Sequence, residues 1–291
     1  GESFGIQAVE IPYNDCVRHF HTAGMPSDGQ GVKVGIIDTG CGPHPDLNVS
    51  GDTDNGDGHG THVAGIIGAT GKLPGIAPGA TLVGYRVFSS GSMAASFSIA
   101  KAIDQAVLDG CDLINLSLKI GDGQDAFDPV VQAALEDARA QGCLPVAAAG
   151  NDARAAVTFP AKDPTCLAVG ACGRRQTWPA DSLPAQDVAA PTGADSADYV
   201  ASFSNEGPEI SLLGPGSGVV STVPGGYGIM SGTSMACPAV VGMIARRLAK
   251  EPGILAMQRD AERAAAIAGL AGEALLDLGF PASLQGQGLM T

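Results

Sequence analysis

Val32-Lys33-Val34-Gly35-Ile36-Ile37-Asp38 is a β-rich run that ends on a carboxylate and turns at Thr39-Gly40. A Gly/Asp-rich loop follows to Asp57. Then Gly58-His59-Gly60-Thr61-His62-Val63-Ala64-Gly65 opens an apolar helix. Outward from this pair the pattern repeats. Residues 81–87 and 112–118 are strand-like, and between them Ile99, Ala102, Ile103, Ala106 and Val107 recur at helical spacing. Asp128-Pro129 caps and opens a helix that stops at Gly142. Residues 143–149 and 166–171 are short apolar strands. This alternation predicts a parallel sheet with helices on both faces, in which ligands bind beyond the carboxyl ends of the strands. Asp38, Ser117 and Asn151 all fall at or just past such ends.

The flanks are less regular. Residues 1–31 read as an N-terminal arm with one short helix near 15–23. Residues 173–200 break the alternation: they are rich in Pro, Ala and Asp, hold the single Trp178, and show no periodicity. They read as an inserted surface loop or small lobe. Strands are expected again at 201–204, 210–213 and 219–223. Gly232-Thr233-Ser234-Met235-Ala236-Cys237-Pro238 sets a serine in a tight turn before an alanine-rich run, 239–248, with the pattern of a buried helix. Taken alone, that serine reads as a helix cap. A last amphipathic helix is expected on the surface over 257–269. No repeat or linker divides the chain, so 1–291 reads as a single domain.

The 45% hydrophobic content is enough for a sizeable core, and 42 glycines with 4% aromatics suit an α/β chain with many tight turns. A net charge of −14 argues against nucleic-acid binding, which needs a basic face, and against anionic membranes. No apolar run approaches a membrane span. The chain begins Gly-Glu-Ser without a basic-then-apolar leader, so a signal or pro-segment is expected to be absent or already removed. The seven cysteines lack metal-ligand spacing. Cys41, Cys111, Cys143 and Cys166 sit beside strand-like runs, as small buried hydrophobes do. Disulfides cannot be paired from the sequence.

Asp38 closing a strand, His59 opening a helix and Ser234 opening another supply what nucleophilic acyl transfer needs. That is a hydroxyl, a base for its proton, and a group that orients the base. Their chain order, Asp then His then Ser, is one of the known orders of this triad. The sequence resembles the subtilisin-like serine proteases, or subtilases, over nearly its whole length. The likeness is carried by Gly35-Ile36-Ile37-Asp38-Thr39-Gly40, His44-Pro45-Asp46-Leu47 and His59-Gly60-Thr61-His62-Val63-Ala64-Gly65. It continues in Asn115-Leu116-Ser117-Leu118, Ala147-Ala148-Ala149-Gly150-Asn151 and Gly232-Thr233-Ser234-Met235-Ala236.

The resemblance implies the three-layer α/β subtilisin-like fold and a serine endopeptidase. It implies Ser234 as nucleophile, His59 as general base and Asp38 as its orienting carboxylate. Asn151 and the Ser234 N–H would form the oxyanion hole. His62 matches a structural histidine, while His19, His21 and His44 are expected on the surface or in loops. A peptide substrate would add as a strand between Ser92, Met93 and Ala94 on one side and Ser117, Leu118 and Lys119 on the other. Ser117, Leu118 and Lys119 with Ala148, Ala149 and Gly150 would wall S1, with Asp152 and Thr158 at its rim or floor. Ser96 and Ile99 would flank S4.

The chain departs from the family pattern in several places. Lys119-Ile120 replaces a usual pair of glycines, which narrows or re-charges the cleft unless Lys119 points to solvent. Thr158 stands for a usual Gly and predicts a shallower S1, suited to a medium apolar side chain. The loop through Thr70-Gly71-Lys72 is too short for the family's tight calcium site, and Ala239 replaces a usual His. The chemistry requires no cofactor. A weak structural calcium site would draw on Asp163, Glu209 and the backbone of Ala161 and Cys166. Asp46, Asp52, Asp54 and Asp57 read as a solvated acidic loop in preference to a metal site. Family habit implies secretion, peptide or protein substrates, a pro-segment or protein inhibitor as partner, and a monomer, with an intracellular form left open. Two other functions compete: a dedicated precursor-processing or peptide-joining enzyme of narrow specificity, and an inactive binding module on the same fold.

Overall fold

A computed structural model describes residues 15–21, 28–89, 94–121, 126–178 and 181–291. Helix α1 (Cys16–His21) and strand β1 (Lys33–Asp38) come first, then β2 (Val49–Gly51), α2 (His59–Gly68) and β3 (Thr81–Arg86). Helix α3 (Ser96–Leu108), β4 (Leu113–Leu116), α4 (Pro129–Ala140), β5 (Leu144–Ala148) and β6 (Leu167–Arg174) continue the alternation. A 3₁₀ turn (Leu183–Asp187) and β7 (Asp198–Val200) precede β8 (Ile210–Pro215), β9 (Val219–Val223) and β10 (Gly226–Met230). The chain closes with α5 (Thr233–Leu248), α6 (Pro252–Leu255), α7 (Ala261–Leu270), β11 (Leu275–Leu276), α8 (Ala282–Gln285) and β12 (Leu289–Met290).

The main sheet runs β11-β12-β8-β6-β5-β4-β1-β3-β2, with β7 added on β6. Every neighbouring pair from β12 across to β2 is parallel, while β11 and β7 are antiparallel additions. Strands β9 and β10 form a separate antiparallel ribbon. Successive side chains of β1 point to opposite faces. Val34 and Ile36 join Val63 and Ile66 of α2 and Val240 and Ile244 of α5 in one core. Ile37 joins Ile99 and Ile103 of α3 and Val131 and Leu135 of α4 in the other. Burying each such side chain contributes about 1.5–3 kcal/mol. The result is the expected three-layer α/β architecture.

Two features of this topology position the site. From β1 the chain crosses to β3 on one side and returns as β4 on the other. That reversal opens a crevice at the carboxyl ends of β1 and β4. Helix α2 also lies directly against β9. Ser221 Oγ donates to the His62 carbonyl at 2.7 Å, and Thr222 Oγ1 to the Thr61 carbonyl at 2.9 Å. A Cβ on Gly65 would collide with both hydroxyls, so glycine is what allows the approach.

Several expectations need correcting. Residues 201–204 form a turn, and the strand lies just before them as β7, because β6 runs on to Arg174 and offers its edge there. The 173–200 stretch is docked as well as superficial: Tyr199 and Val200 are buried. The last amphipathic helix starts at Ala261 instead of 257, where the Asp260 carboxylate accepts from the Arg263 N–H at 3.1 Å. It buries Ala264, Ile267 and Leu270, so only its other face is superficial. His21 is buried within α1, while His44 lies in a loop, though buried there, and His19 is exposed. All seven cysteines are buried free thiols.

Candidate active site

Asp38 ends β1 fully buried. Its Oδ1 accepts from the Thr39 N–H at 2.7 Å and faces His59 Nδ1 at 2.7 Å. A carboxylate only accepts, so Nδ1 carries the proton and Nε2 presents its lone pair. The His59 side chain is 27% exposed. Burial pushes its pKa down, but the charge and hydrogen bond of Asp38, with Asp57 and Asp54 nearby, outweigh this and leave it raised. His62 differs in every respect. It is fully buried, its Nε2 lies 3.1 Å from Val219 O and 3.2 Å from Gly228 O, and burial lowers its pKa to about 3. It is a neutral strut between α2 and the β9–β10 ribbon.

The N-cap of α2 is Gly58, whose φ of 89° suits glycine and which has no side chain to cap with. Asp54 caps the helix from the preceding loop. Its carboxylate accepts the Gly58 N–H at 3.0 Å, the Thr61 N–H at 3.3 Å and the Thr61 hydroxyl at 2.7 Å. The sequence alone places Asp54 in a solvated acidic loop; its spacing before Thr61 is the signal for the cap. The other carboxylates there are also engaged. Asp46 accepts from the Tyr227 hydroxyl, Asp52 from the Arg86 N–H and Asp57 from the His59 N–H. Asp163 accepts both the N–H and hydroxyl of Thr165, at 2.9 and 2.6 Å. Among the described residues no three His, Cys, Asp or Glu side chains gather as metal ligands do.

Ser234 is the second residue of α5, after a Gly232 N-cap, so it is not itself the cap. Its N–H is one of the first in the helix and has no intrahelical acceptor. Among the described residues its hydroxyl donates to the Ser117 carbonyl at 3.4 Å, and its own carbonyl accepts from Ser117 Oγ at 2.8 Å. Asn151, exposed beyond β5, accepts the N–H and the hydroxyl of Thr233, each at 2.8 Å, through Oδ1. With its oxygen committed, the amide NH₂ is left to donate. It lies 3.4 Å from where a Gly232 Cβ would stand, beside Ser234. Asn115 supports the same edge, donating to Ser117 Oγ at 3.0 Å. Thr233 and Asn115 lay inside recognised motifs, but their supporting bonds could not be read there.

Of the expected substrate-binding residues, Ser92 and Met93 lie outside the described ones. Ala94 is half-buried before α3, Ser96 opens that helix, and Ile99 is buried in it. Ser117, Leu118, Ala148, Ala149 and Gly150 line the ends of β4 and β5, all buried. The Thr158 hydroxyl turns inward to the Ala149 carbonyl at 3.2 Å. Lys119 does not simply point to solvent: its Nζ meets Asp152 Oδ1 at 3.1 Å, with both side chains about two-fifths exposed, at 44% and 41%. Burial pushes the Asp152 carboxyl up, but Lys119 and Asn205 pull harder and leave it lowered.

Comparison with known proteins agrees with this geometry. A sequence model of the Subtilase family matches residues 29–286. Subtilisin BL of Lederbergia lenta is 34% identical over 262 residues, spanning 86% of this chain and 85% of that protein. Subtilisin E of Bacillus subtilis (strain 168) is 34% identical over 268 residues, 86% of this chain and 61% of that one. The structure of sphericase superposes with a TM-score of 0.75 at 27% identity, covering 95% of this chain and 97% of the other. That of the prenylagaramide maturation protease PagA gives 0.71 at 26% identity, covering 89% and 90%. By fold, family model and relatives alike, the chain belongs to the subtilase family of serine-type endopeptidases.

Proposed function

We propose that Ser234, His59 and Asp38 carry the peptidase chemistry, with Asn151 and the Ser234 N–H as oxyanion donors. The observation that carries this reading is the 2.7 Å contact between Asp38 Oδ1 and His59 Nδ1 at the crevice where α2 and α5 both begin. With Nδ1–H held by Asp38, Nε2 is the free base. The Ser234 hydroxyl turns from the Ser117 carbonyl to His59 and gives up its proton as its oxygen attacks the scissile carbonyl. The resulting imidazolium is stabilised by Asp38 and later protonates the leaving amine. Negative charge on the carbonyl oxygen is met by the Asn151 NH₂ and the Ser234 N–H, aided by the positive end of α5. Water then repeats the sequence on the acyl-enzyme.

The substrate is an extended peptide lying along the ends of β4 and β5, with S1 between Ser117, Leu118 and Lys119 and Ala148, Ala149 and Gly150. Thr158 makes that pocket shallow, which favours a medium apolar P1 side chain. Secretion is the reading that family habit favours. A second reading, a processing enzyme of narrow specificity, draws on the Lys119–Asp152 pair across the S1 rim. It draws also on the likeness to a protease whose title names a maturation role. Cleavage of a diverse peptide library separates the two. Broad cleavage after medium apolar residues is expected, and cleavage confined to one sequence context would favour the processing reading. Lys119→Ala is expected to shift library preferences by no more than about fivefold, since an exposed ion pair is worth about 0–1 kcal/mol.

A further inference from the structure

The 173–200 segment, which broke the strand-helix alternation, is tied to the turn that bears Ser234. Asp187 closes the 3₁₀ turn of that segment. Its Oδ2 accepts the Ser217 hydroxyl at 2.7 Å and the Ser231 hydroxyl at 2.8 Å. Because an ionised carboxylate only accepts, both serine protons must point at it. That choice sets the direction of every bond behind them. Ser217 Oγ, having spent its proton, accepts from the Tyr199 hydroxyl at 2.8 Å, and Tyr199 accepts from Trp178 Nε1 at 3.0 Å. Ser231 Oγ in turn accepts the Gly218 N–H at 2.9 Å. Trp178, Tyr199 and Asp187 all belong to the segment, so it supplies two donors of the chain and the carboxylate oxygen on which the chain ends.

We propose that Asp187 is a positioning residue for the peptidase, holding the Ser231-Gly232-Thr233-Ser234 turn in register by gathering Ser217 and Ser231 on one carboxylate oxygen. The proposal rests on Ser234 being the nucleophile. Ser231 is an exposed side chain, and among the described residues its hydroxyl bonds only to Asp187 and the Gly218 N–H. Gly232, next in line, has no side chain and is anchored through its N–H to Gly216 O at 2.8 Å. On the far side of Gly232, Asn151 holds Thr233. The nucleophile turn is therefore held through its side chains at two points, by Asn151 at Thr233 and by Asp187 at Ser231, on either side of the Gly232 backbone bond to Gly216. Without the Asp187 clamp, the Ser217 and Ser231 hydroxyls lose their shared acceptor, and the turn keeps only its bonds to Gly218 and Gly216 on that side. Ser234 Oγ and its N–H then drift against His59 and Asn151, and misplacement of about 1 Å can cost on the order of 10² in rate.

The test compares Asp187→Ala, Asp187→Asn and Ser231→Ala in the full chain. Readouts are kcat and KM on a fluorogenic peptide, the rate of fluorophosphonate labelling at Ser234, and Trp178 fluorescence as a check of folding. Asp187→Ala and Ser231→Ala are each expected to lower kcat and labelling rate about tenfold, within the range that misplacement allows, with KM changed less than about twofold. The double variant should be no worse than either alone. An asparagine keeps a carbonyl oxygen able to accept both hydroxyls, so Asp187→Asn should recover most of the loss. Wild-type kcat in Asp187→Ala, a loss confined to KM, or an asparagine variant as poor as the alanine one would each overturn the proposal. If the wild type itself does not label at Ser234, the assignment of the nucleophile has failed instead.

Discussion

Helices α2 and α5 both begin at a glycine, Gly58 and Gly232, and neither glycine can cap its helix with a side chain. Each helix carries a proposed reacting residue in its first turn, His59 or Ser234. At both mouths an aspartate from outside the helix does the holding. Asp54 holds α2 from four to seven residues away, through backbone N–H groups and a threonine hydroxyl. Asp187 holds the α5 turn from 44 residues away, through serine hydroxyls. The local clamp moves with its helix, whereas the distant one depends on the 173–200 segment staying docked. On the proposed reading, the base is held by its own motif, and the nucleophile is held in part by the 173–200 segment.

The largest expected effect lies at the α2 mouth. Asp38→Asn removes the charge that raises the His59 pKa and favours the wrong tautomer. The expected loss in kcat is on the order of 10⁴, as in other triads. The acidic limb of kcat/KM should also move. In the wild type it reports loss of the neutral base as pH falls through the raised His59 pKa, so it should lie above about 6.5. In Asp38→Asn it should shift to lower pH. A wild-type limb below about 6.5 would detach the Asp38–His59 pair from the chemistry.

At the α5 mouth, Asn151→Ala should lower kcat by on the order of 10²–10³, a magnitude measured in subtilisin, with KM changed only a few-fold. An effect mainly on KM would mean that Asn151 merely braces Thr233. Asp54→Ala sharpens the comparison further. Loss of a cap should cost about 1–2 kcal/mol of stability and slow kcat/KM about tenfold, while Ser234, held at the other mouth, stays in place.

The smallest effect concerns acid stability, measured on Ser234→Ala to prevent self-cleavage. His21 and His62 are held neutral by burial, with pKa values lowered to about 3. Between about pH 6.5 and 3 the unfolded chain binds protons at these sites that the folded one does not. Stability should therefore fall as pH drops through that window. His59, whose pKa is raised, works in the opposite sense, so its bond to Asp38 stabilises most at low pH. A melting temperature that rises as pH falls from 6.5 would contradict the assignment of two buried neutral histidines.

How much of this was legible in the sequence follows from the range of each interaction. Strand β1 was readable because its apolar run is local, and its end on Asp38 marks the sheet edge. The start of α4 was readable because Asp128 and Pro129 carry the cap chemistry themselves, Asp128 Oδ1 accepting the Val130 and Val131 N–H groups. The shift from 201–204 to β7 was not readable, since where a three-residue strand forms depends on how far β6 extends. Lys119 stood out as a departure, but its partner Asp152 comes from the loop after another strand. The two clamps divide the same way. Asp54 sits within reach of the motif it caps, while Asp187 lies in a stretch without periodicity and becomes meaningful only once Ser217 and Ser231 are brought to it.

The most direct test of the account is covalent labelling with a fluorophosphonate, followed by peptide mapping of the modified residue. The account predicts one label, on Ser234, at a rate that falls as pH drops through the His59 titration and is nearly abolished in His59→Ala. A label on any other residue, or undiminished labelling of Ser234 in His59→Ala, would contradict it.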